Sequence, residues 1–318
     1  MNMTLDRSRV EVLDREEWLA LHYDREHISA SQVAVALGVS PYETPLHLYA
    51  LKRGEVDRPD ESLPMRLGKL LEPIVCDLYA ESTGRAIEDL GATAIVRHPQ
   101  FPALFCTLDR LAVLPRGEGP FEAKTTGSFA KKDWQKEAPM HNLIQHQAQM
   151  FCTDLAWGSI GALIGNSDFM VHDFERMGQD FEDNVLKRLD AFLTGLLRGE
   201  PPAPTYADRE TIFQMHPMDT GEIIEGDIDD LTKIELFEKY RAEAKEADEK
   251  LEAAKNALAL RIGDATGLSV DGRTLTHKHQ SRRTKAMVEG ADVHLLDQYG
   301  IPYTPGKESN LRVMRLVK

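Results

Sequence analysis

A chain of 318 residues, 42% hydrophobic and 28% charged, can bury a core and carry one large domain plus an appendage. No stretch approaches the roughly 20 apolar residues that span a bilayer, and Met1 to Glu17 has no apolar secretory segment, so the expectation is a cytosolic protein with no membrane partner. Cys76, Cys106 and Cys152 are scattered and form no C-x-x-C pair, which argues against a disulfide framework and a zinc or iron–sulfur site and leaves them as small core hydrophobes.

The net charge of −14 runs against phosphate binding, which is driven by Lys and Arg. It is unevenly spread. Arg273 to Lys318 holds nine basic and four acidic residues, a net of +5, leaving −19 on the other 272 residues. A site that collects divalent cations needs acidic groups, and a local basic surface can still face nucleic acid. Composition therefore leaves the partner open.

In chain order, the first segment reads as short helices to about Gly54. Ser29 or Ser31 caps one through Leu37, with Gly38 as its stop, and Thr44-Pro45 starts another that ends at Gly54. A longer amphipathic helix is predicted from about Met65 to Ser82, closed by Gly84, with apolar residues at three- and four-residue steps. From Arg85 the period becomes that of strands: Ala92 to Val96, Leu104 to Leu114 and Phe121 to Lys124, with Pro115 to Pro120 as a hairpin connection. A helix from Met140 to Cys152, strands at Ala156–Ile164 and Phe169–Phe174, and a helix from Gln179 to Leu197 follow. The prolines of Pro201-Pro202-Ala-Pro204 mark a boundary.

A different texture begins near Asp227. Phe237, Tyr240, Ala244, Ala247, Leu251, Ala254 and Leu258 keep a heptad seam on a helix of over thirty residues. Gly267 to His279 reads as a hairpin turning at Asp271-Gly272, followed by a short helix near Lys285 to Tyr299 and a final strand, Leu311 to Val317.

The chemistry is concentrated in Thr107-Leu-Asp109-Arg, a hairpin, then Phe121-Glu122-Ala-Lys124-Thr. Neighbouring strands bring Asp109 and Glu122 together, a donor set for a hard cation. Strand alternation puts Glu122 and Lys124 on one face, where Lys124 can position a water and offset charge on a phosphate. Glu72 sits on the preceding helix in Gly68-Lys-Leu-Leu-Glu-Pro73, where Pro73 removes a helical hydrogen bond. Gln145, Gln147 and Gln149 lie on an otherwise apolar helix, as polar groups aimed at a site. Trp134 and Trp157 read as packing residues. His141 and His146 lie beside the glutamines, but a carboxylate set is not one for zinc.

Together these motifs resemble the YqaJ-type viral recombinase nucleases, which include the phage lambda exonuclease, in the PD-(D/E)xK superfamily. The resemblance runs from about Trp18 to Gly199. It includes Ile28-Ser-Ala-Ser31, Gly38-Val-Ser-Pro-Tyr42, Gly68-x3-Glu72-Pro73, the catalytic pair of strands and Leu143-Ile-Gln145-His-Gln147. It implies an α/β, restriction-endonuclease-like core, a central mixed sheet flanked by helices, over residues 1–204. A module of long helix and small β elements would follow over 225–318. It implies a Mg²⁺ site, with Mn²⁺ able to substitute, built from Glu72, Asp109, Glu122 and the Ala123 carbonyl. Lys124 would be the water-positioning base or electrostatic stabiliser and Gln145 an orienting group. Ser31 would hold a 5′-phosphate with Arg25, although the family's phosphate-binding arginine falls on Asp24.

The function implied is a metal-dependent exonuclease working 5′ to 3′ from ends of linear duplex DNA and leaving 3′ overhangs for phage-type recombination. The resemblance further implies a ring-shaped homotrimer, a single-strand annealing recombinase as partner, and a phage or prophage origin in a bacterial cytoplasm. Two alternatives stand beside it. One is a PD-(D/E)xK endonuclease or RecB-like nuclease, of which the cluster-bearing kind needs four cysteines. The other is an inert DNA-end-binding scaffold. For the C-terminal module, reaching DNA, pairing with another subunit and capping the fold all stay open.

Overall fold

Local signals set the helix ends. The computed structural model describes residues 4–115, 117–283 and 308–317, with 279–283 and 308–317 as backbone alone. Asp14 opens α1 (Arg15–Tyr23) through a capping box with Glu17. Ser29 precedes α2 (Ala30–Ala36), and Gly38 lies just past its end. Thr44 and Pro45 start α3 (Pro45–Arg53), which Gly54 closes in the left-handed region. Ser62 caps α4 (Leu63–Thr83), which runs through Pro73 and ends at Gly84. The other helices of this part are α5 (Lys131–Trp134), α6 (Met140–Thr153), α7 (Gln179–Arg198) and α8 (Arg209–Met215).

The strands are β1 (Val10–Val12), β2 (Ile28–Ser29), β3 (Ala86–Glu88), β4 (Ala94–Arg97) and β5 (Leu104–Cys106), then β6 (Arg110–Leu114), β7 (Gly117–Thr126), β8 (Trp157–Ile164) and β9 (Asp168–Glu175). They form two sheets. One has the order β3-β6-β7-β8-β9, with β7 and β8 parallel and the other neighbours antiparallel. The second has the order β1-β4-β5-β2, with β2 and β5 parallel. The predicted α/β core, a mixed sheet with helices on both faces, is present.

The single strand predicted over Leu104–Leu114 is instead two strands in different sheets. Between them Thr107 accepts a hydrogen bond from Trp18 Nε1 at 3.0 Å, and Leu108 is buried in the core. The chain changes sheets without interrupting its apolar run, so hydrophobic pattern alone does not register the crossing. The connection from β6 to β7 is also shorter than predicted, with pairing that reaches Leu114 and Gly117.

Alternation along β7 sorts its side chains to two helices. Phe121 stacks on Tyr79 of α4 with ring centroids 4.1 Å apart, and Ala123 packs in the same cluster. Glu122 and Lys124 point the other way, to α6. Trp134 and Trp157 are buried packing residues, and the three cysteines are buried and free.

The chain divides into two compact units, Met1–Thr220 and Gly221–Lys318. The first continues past the proline stretch because Asp208 anchors α8: its carboxylate accepts from the Thr44 hydroxyl and from the N–H and hydroxyl of Thr205. In the second unit α9 (Ile228–Ile262) starts at an Asp227 capping box. Its seam residues Phe237, Tyr240 and Leu251 are exposed. β10 (Gly267–Val270), β11 (Arg273–Arg283) and β12 (Glu308–Val317) form an antiparallel sheet in that order. Asp271 and Gly272 turn the first hairpin at φ 48° and 72°, the geometry an Asp-Gly turn favours. The helix predicted at 285–299 lies outside the described residues. Among those described, no helix is long and apolar enough to cross a membrane.

A buried charge network ties α7 to the β4–β5 connection. Glu182, 2% exposed, meets His98 at 2.9 Å and Arg176 at 2.6 Å, and Arg176 also pairs with Asp154. Removing one partner strands the others out of water. Glu182→Ala is therefore expected to cost about 3–5 kcal/mol of stability, read as a lower midpoint in thermal and urea melts.

Candidate active site

The strand register brings the acidic residues together. Asp109 immediately precedes β6, and its Oδ2 accepts from the Ala123 N–H on β7 at 2.8 Å. Glu122, one residue earlier on β7, is 4% exposed. Its Oε1 accepts from Lys124 Nζ at 2.6 Å and from Gln145 Nε2 at 2.7 Å, while its Oε2 accepts from Gln149 Nε2. Lys124 Nζ also donates to Gln145 Oε1 at 3.0 Å. The carboxylate, ammonium and first amide thus close a ring.

Gln145 and Gln149 lie four residues apart, one above the other on α6. Gln147 points elsewhere: its amide donates to the Glu175 carbonyl at 2.9 Å and accepts from the Met177 N–H at 2.8 Å, clamping α6 to the end of β9. Of the three glutamines read as aimed at a site, the sequence gives a role to Gln145 alone; the four-residue step to Gln149 is the signal that finds the second. Behind Gln149 stands His146. Gln149 turns its NH₂ to Glu122, so its oxygen faces His146 Nδ1 at 2.9 Å, and that nitrogen carries the proton.

Glu72 reaches the same place from α4. Glu72, Asp109, Glu122, Ala123 and Lys124 line a cavity of about 480 Å³ together with Tyr42 and Lys69. A second cavity of about 700 Å³ shares Tyr42, Lys124 and Thr125 with it and is lined by Ser31 and Gln145. Ser31, whose hydroxyl meets that of Ser29 at 2.9 Å, therefore stands on a surface continuous with the carboxylates. His141 lies on this second cavity, edge-on to Tyr42 with ring centroids 5.3 Å apart. Arg25 lines neither; its guanidinium donates to the Arg53 carbonyl at 3.2 Å.

The charges strain one another. Burial pushes the Asp109 carboxyl well above the usual carboxylate range, and the Glu122 and Glu72 carboxylates push it further. Glu72 is raised for the same reasons, burial first, against the pull of Arg110. Burial alone would lower Lys124, but Glu122 and Asp109 outweigh it and raise its pKa, so at neutral pH it is an ammonium. Carboxylates that repel each other beside a backbone carbonyl are a donor set suited to a hard divalent cation. Their chemistry fits. Among the described residues, however, no three Asp, Glu, His or Cys side chains close round one point at metal-binding spacing. Glu122 is held by its three donors, and Glu72 is drawn to Arg110 at 3.3 Å.

Residues 17–156 match the YqaJ-like viral recombinase domain. That span contains Ser31, Glu72, Asp109, Glu122, Lys124 and Gln145. Protein YqaJ of Bacillus subtilis (strain 168), itself uncharacterised, is 28% identical over 197 residues, 60% of this chain and 59% of the relative. The chain thus matches about three-fifths of that relative's length. Among solved structures, an alkaline exonuclease from Laribacter hongkongensis aligns at 20% identity and a TM-score of 0.47, covering 62% of this chain and 98% of that one. A phage-related exonuclease from Haemophilus somnus 129PT aligns at 14% identity and a TM-score of 0.43, over 55% and 96% respectively.

Gly158 sets how closely β8 packs behind the site. A Cβ there would lie 2.3 Å from His146 Nε2. Gly158→Ala is expected to cost about 1–3 kcal/mol, as an overpacked core does. Combined with His146→Ala it should cost less than the sum of the two, measured by denaturant melts as a double-mutant cycle.

Proposed function

We propose that this chain is a metal-dependent DNA exonuclease. The observation that carries the reading is the ring of Glu122, Lys124 and Gln145 beside Asp109 and Glu72 in one cavity, within residues that match a viral recombinase domain. The reaction is hydrolysis of a phosphodiester. Mg²⁺, with Mn²⁺ able to replace it, would be held by Glu72, Asp109, Glu122 and the Ala123 carbonyl and would supply Lewis acidity to the scissile phosphate.

The chain's own groups do the rest. Lys124, kept as an ammonium by its carboxylate neighbours, donates to the phosphate and offsets its developing charge, which favours an electrostatic role over a general base. Gln145 orients Lys124 and Glu122, being bonded to both. Gln149 fixes the far oxygen of Glu122. Ser31, on the adjoining cavity, holds a terminal 5′-phosphate, with Arg25, which here donates to the Arg53 carbonyl, as the second candidate for it.

The proposal extends to polarity and setting. The enzyme degrades linear duplex DNA 5′ to 3′ from its ends and leaves 3′ single-stranded overhangs. It acts as a ring-shaped homotrimer beside a single-strand annealing recombinase, in the cytoplasm of a bacterium carrying the phage or prophage. Support for these points is the domain match alone.

Digestion of linear duplex labelled separately at 5′ and 3′ ends tests the reading. Early release of the 5′ label with Mg²⁺, none with EDTA, and an untouched closed circle are expected. A cut circle would make it an endonuclease, and tight end binding without cleavage in Mg²⁺ or Mn²⁺ would make it an end-binding protein. Lys124→Ala should lose about 10²–10³-fold in rate, as when one transition-state donor is removed. Gln149→Leu should lose about 10–100-fold, as for a group that orients a ligand. Full activity in Glu122→Ala would refute the assigned site.

A further inference from the structure

A cation beside the acidic cavity pairs with one of the carboxylates that line it. Arg110 follows Asp109 directly and opens β6. Its Nη1 lies 3.3 Å from Glu72 Oε1 and 3.5 Å from Asp89 Oδ2, and it donates to the Asp109 backbone carbonyl. The Arg110 side chain is 18% exposed, whereas Glu72 and Asp89 are 34% and 57% exposed. It cannot lose its charge near neutral pH.

Its two acidic partners differ in place. Glu72 lines the cavity with Asp109 and Glu122, whereas Asp89 does not. Asp89 is fixed from the other side, because its Oδ1 accepts from the Gly91 N–H at 2.8 Å and leaves Oδ2 towards Arg110. One guanidinium is thus shared between a carboxylate of the candidate metal site and a carboxylate outside it. This sharing also gives a reason why the three acidic side chains do not converge.

We propose that Arg110 is a placeholder cation: it occupies Glu72 until a divalent ion enters, and Asp89 then receives it. Arg110 is a positioning residue, acting through Glu72. Because the guanidinium keeps an ion pair in either place, Glu72 can be released without leaving a partly buried charge unpaired. The inference rests on the reading of this cavity as a divalent-ion site, and it predicts opposite signs for its two partners. Removing Arg110 frees Glu72 for the ion. Removing Asp89 takes away the alternative seat and ties Arg110 more firmly to Glu72.

Calorimetric titration of the full chain with MnCl₂, without DNA, tests this on four proteins: the natural sequence, Arg110→Gln, Asp89→Asn and the double variant. Arg110→Gln is expected to bind Mn²⁺ roughly tenfold more tightly, the size of effect one charge within about 4–6 Å exerts on a neighbouring ionisation. Asp89→Asn is expected to weaken binding several-fold, and to have no effect once Arg110 is Gln. Asp89 is 57% exposed at its side chain, so that variant keeps the fold. An equal loss from Asp89→Asn in both backgrounds would reduce its role to a distant charge and overturn the proposal. So would one affinity for all four proteins, which would leave the metal-site reading standing. No Mn²⁺ bound by any of the four would sink both.

Discussion

The site depends on a single buried carboxylate. Glu122 is almost wholly out of water, and a carboxylate in that position costs several kcal/mol unless its oxygens are satisfied. The chain satisfies it through its topology. β7 and β8 are parallel, and a parallel pair needs a crossover connection, here carrying α5 and α6. That crossover lays α6 on the face of the sheet to which period-two alternation directs Glu122 and Lys124. The helix required to build the sheet therefore also delivers Gln145 and Gln149, four residues apart, to the carboxylate. Gln147, between them, turns to the backbone of Glu175 and Met177 and fixes the height of the helix. Strand period, helix period and crossover all converge on one oxygen pair.

These same periodicities explain what was legible in advance. Helix ends marked by Ser29, Thr44-Pro45, Gly54 and Gly84 appear where caps and stops predict them, because those signals act within one turn. The E-x-K face and the Asp271-Gly272 turn are local too. What the sequence hides is non-local. β1, β2 and β3 are two or three residues long and are strands only because a partner strand lies alongside. The break at Thr107–Asp109 is invisible to hydrophobic pattern, since Leu108 stays buried while the chain passes from one sheet to the other. α8 exists because Asp208 reaches Thr44, far back in the chain.

The site shows the same division. Asp109, Glu122 and Lys124 follow from strand spacing, Gln145 from a resemblance and its place on an otherwise apolar helix, and Glu72 from its motif. Arg110 carried no pattern beyond standing next to Asp109. Its position between Glu72 and Asp89 depends on α4 and the turn after β3 meeting at the edge of β6. Arg25 was named because it adjoins Asp24, where the resemblance places an arginine; its guanidinium donates to the Arg53 carbonyl, while Ser31 lines the cavity.

Local charge, and not the total of −14, decides whether such a cavity can receive a phosphate. With every group ionised, Glu72, Asp109 and Glu122 line the cavity with Lys124, a balance of −2, and Lys69 is offset by Glu61 at 2.6 Å. A phosphodiester entering that field would be repelled. One divalent cation would cancel that charge without any basic residue being added. Asp109 records the same repulsion, its carboxyl being raised by burial first and then by Glu122 and Glu72. A chain of net negative charge can thus act on nucleic acid if an ion at the site removes the repulsion.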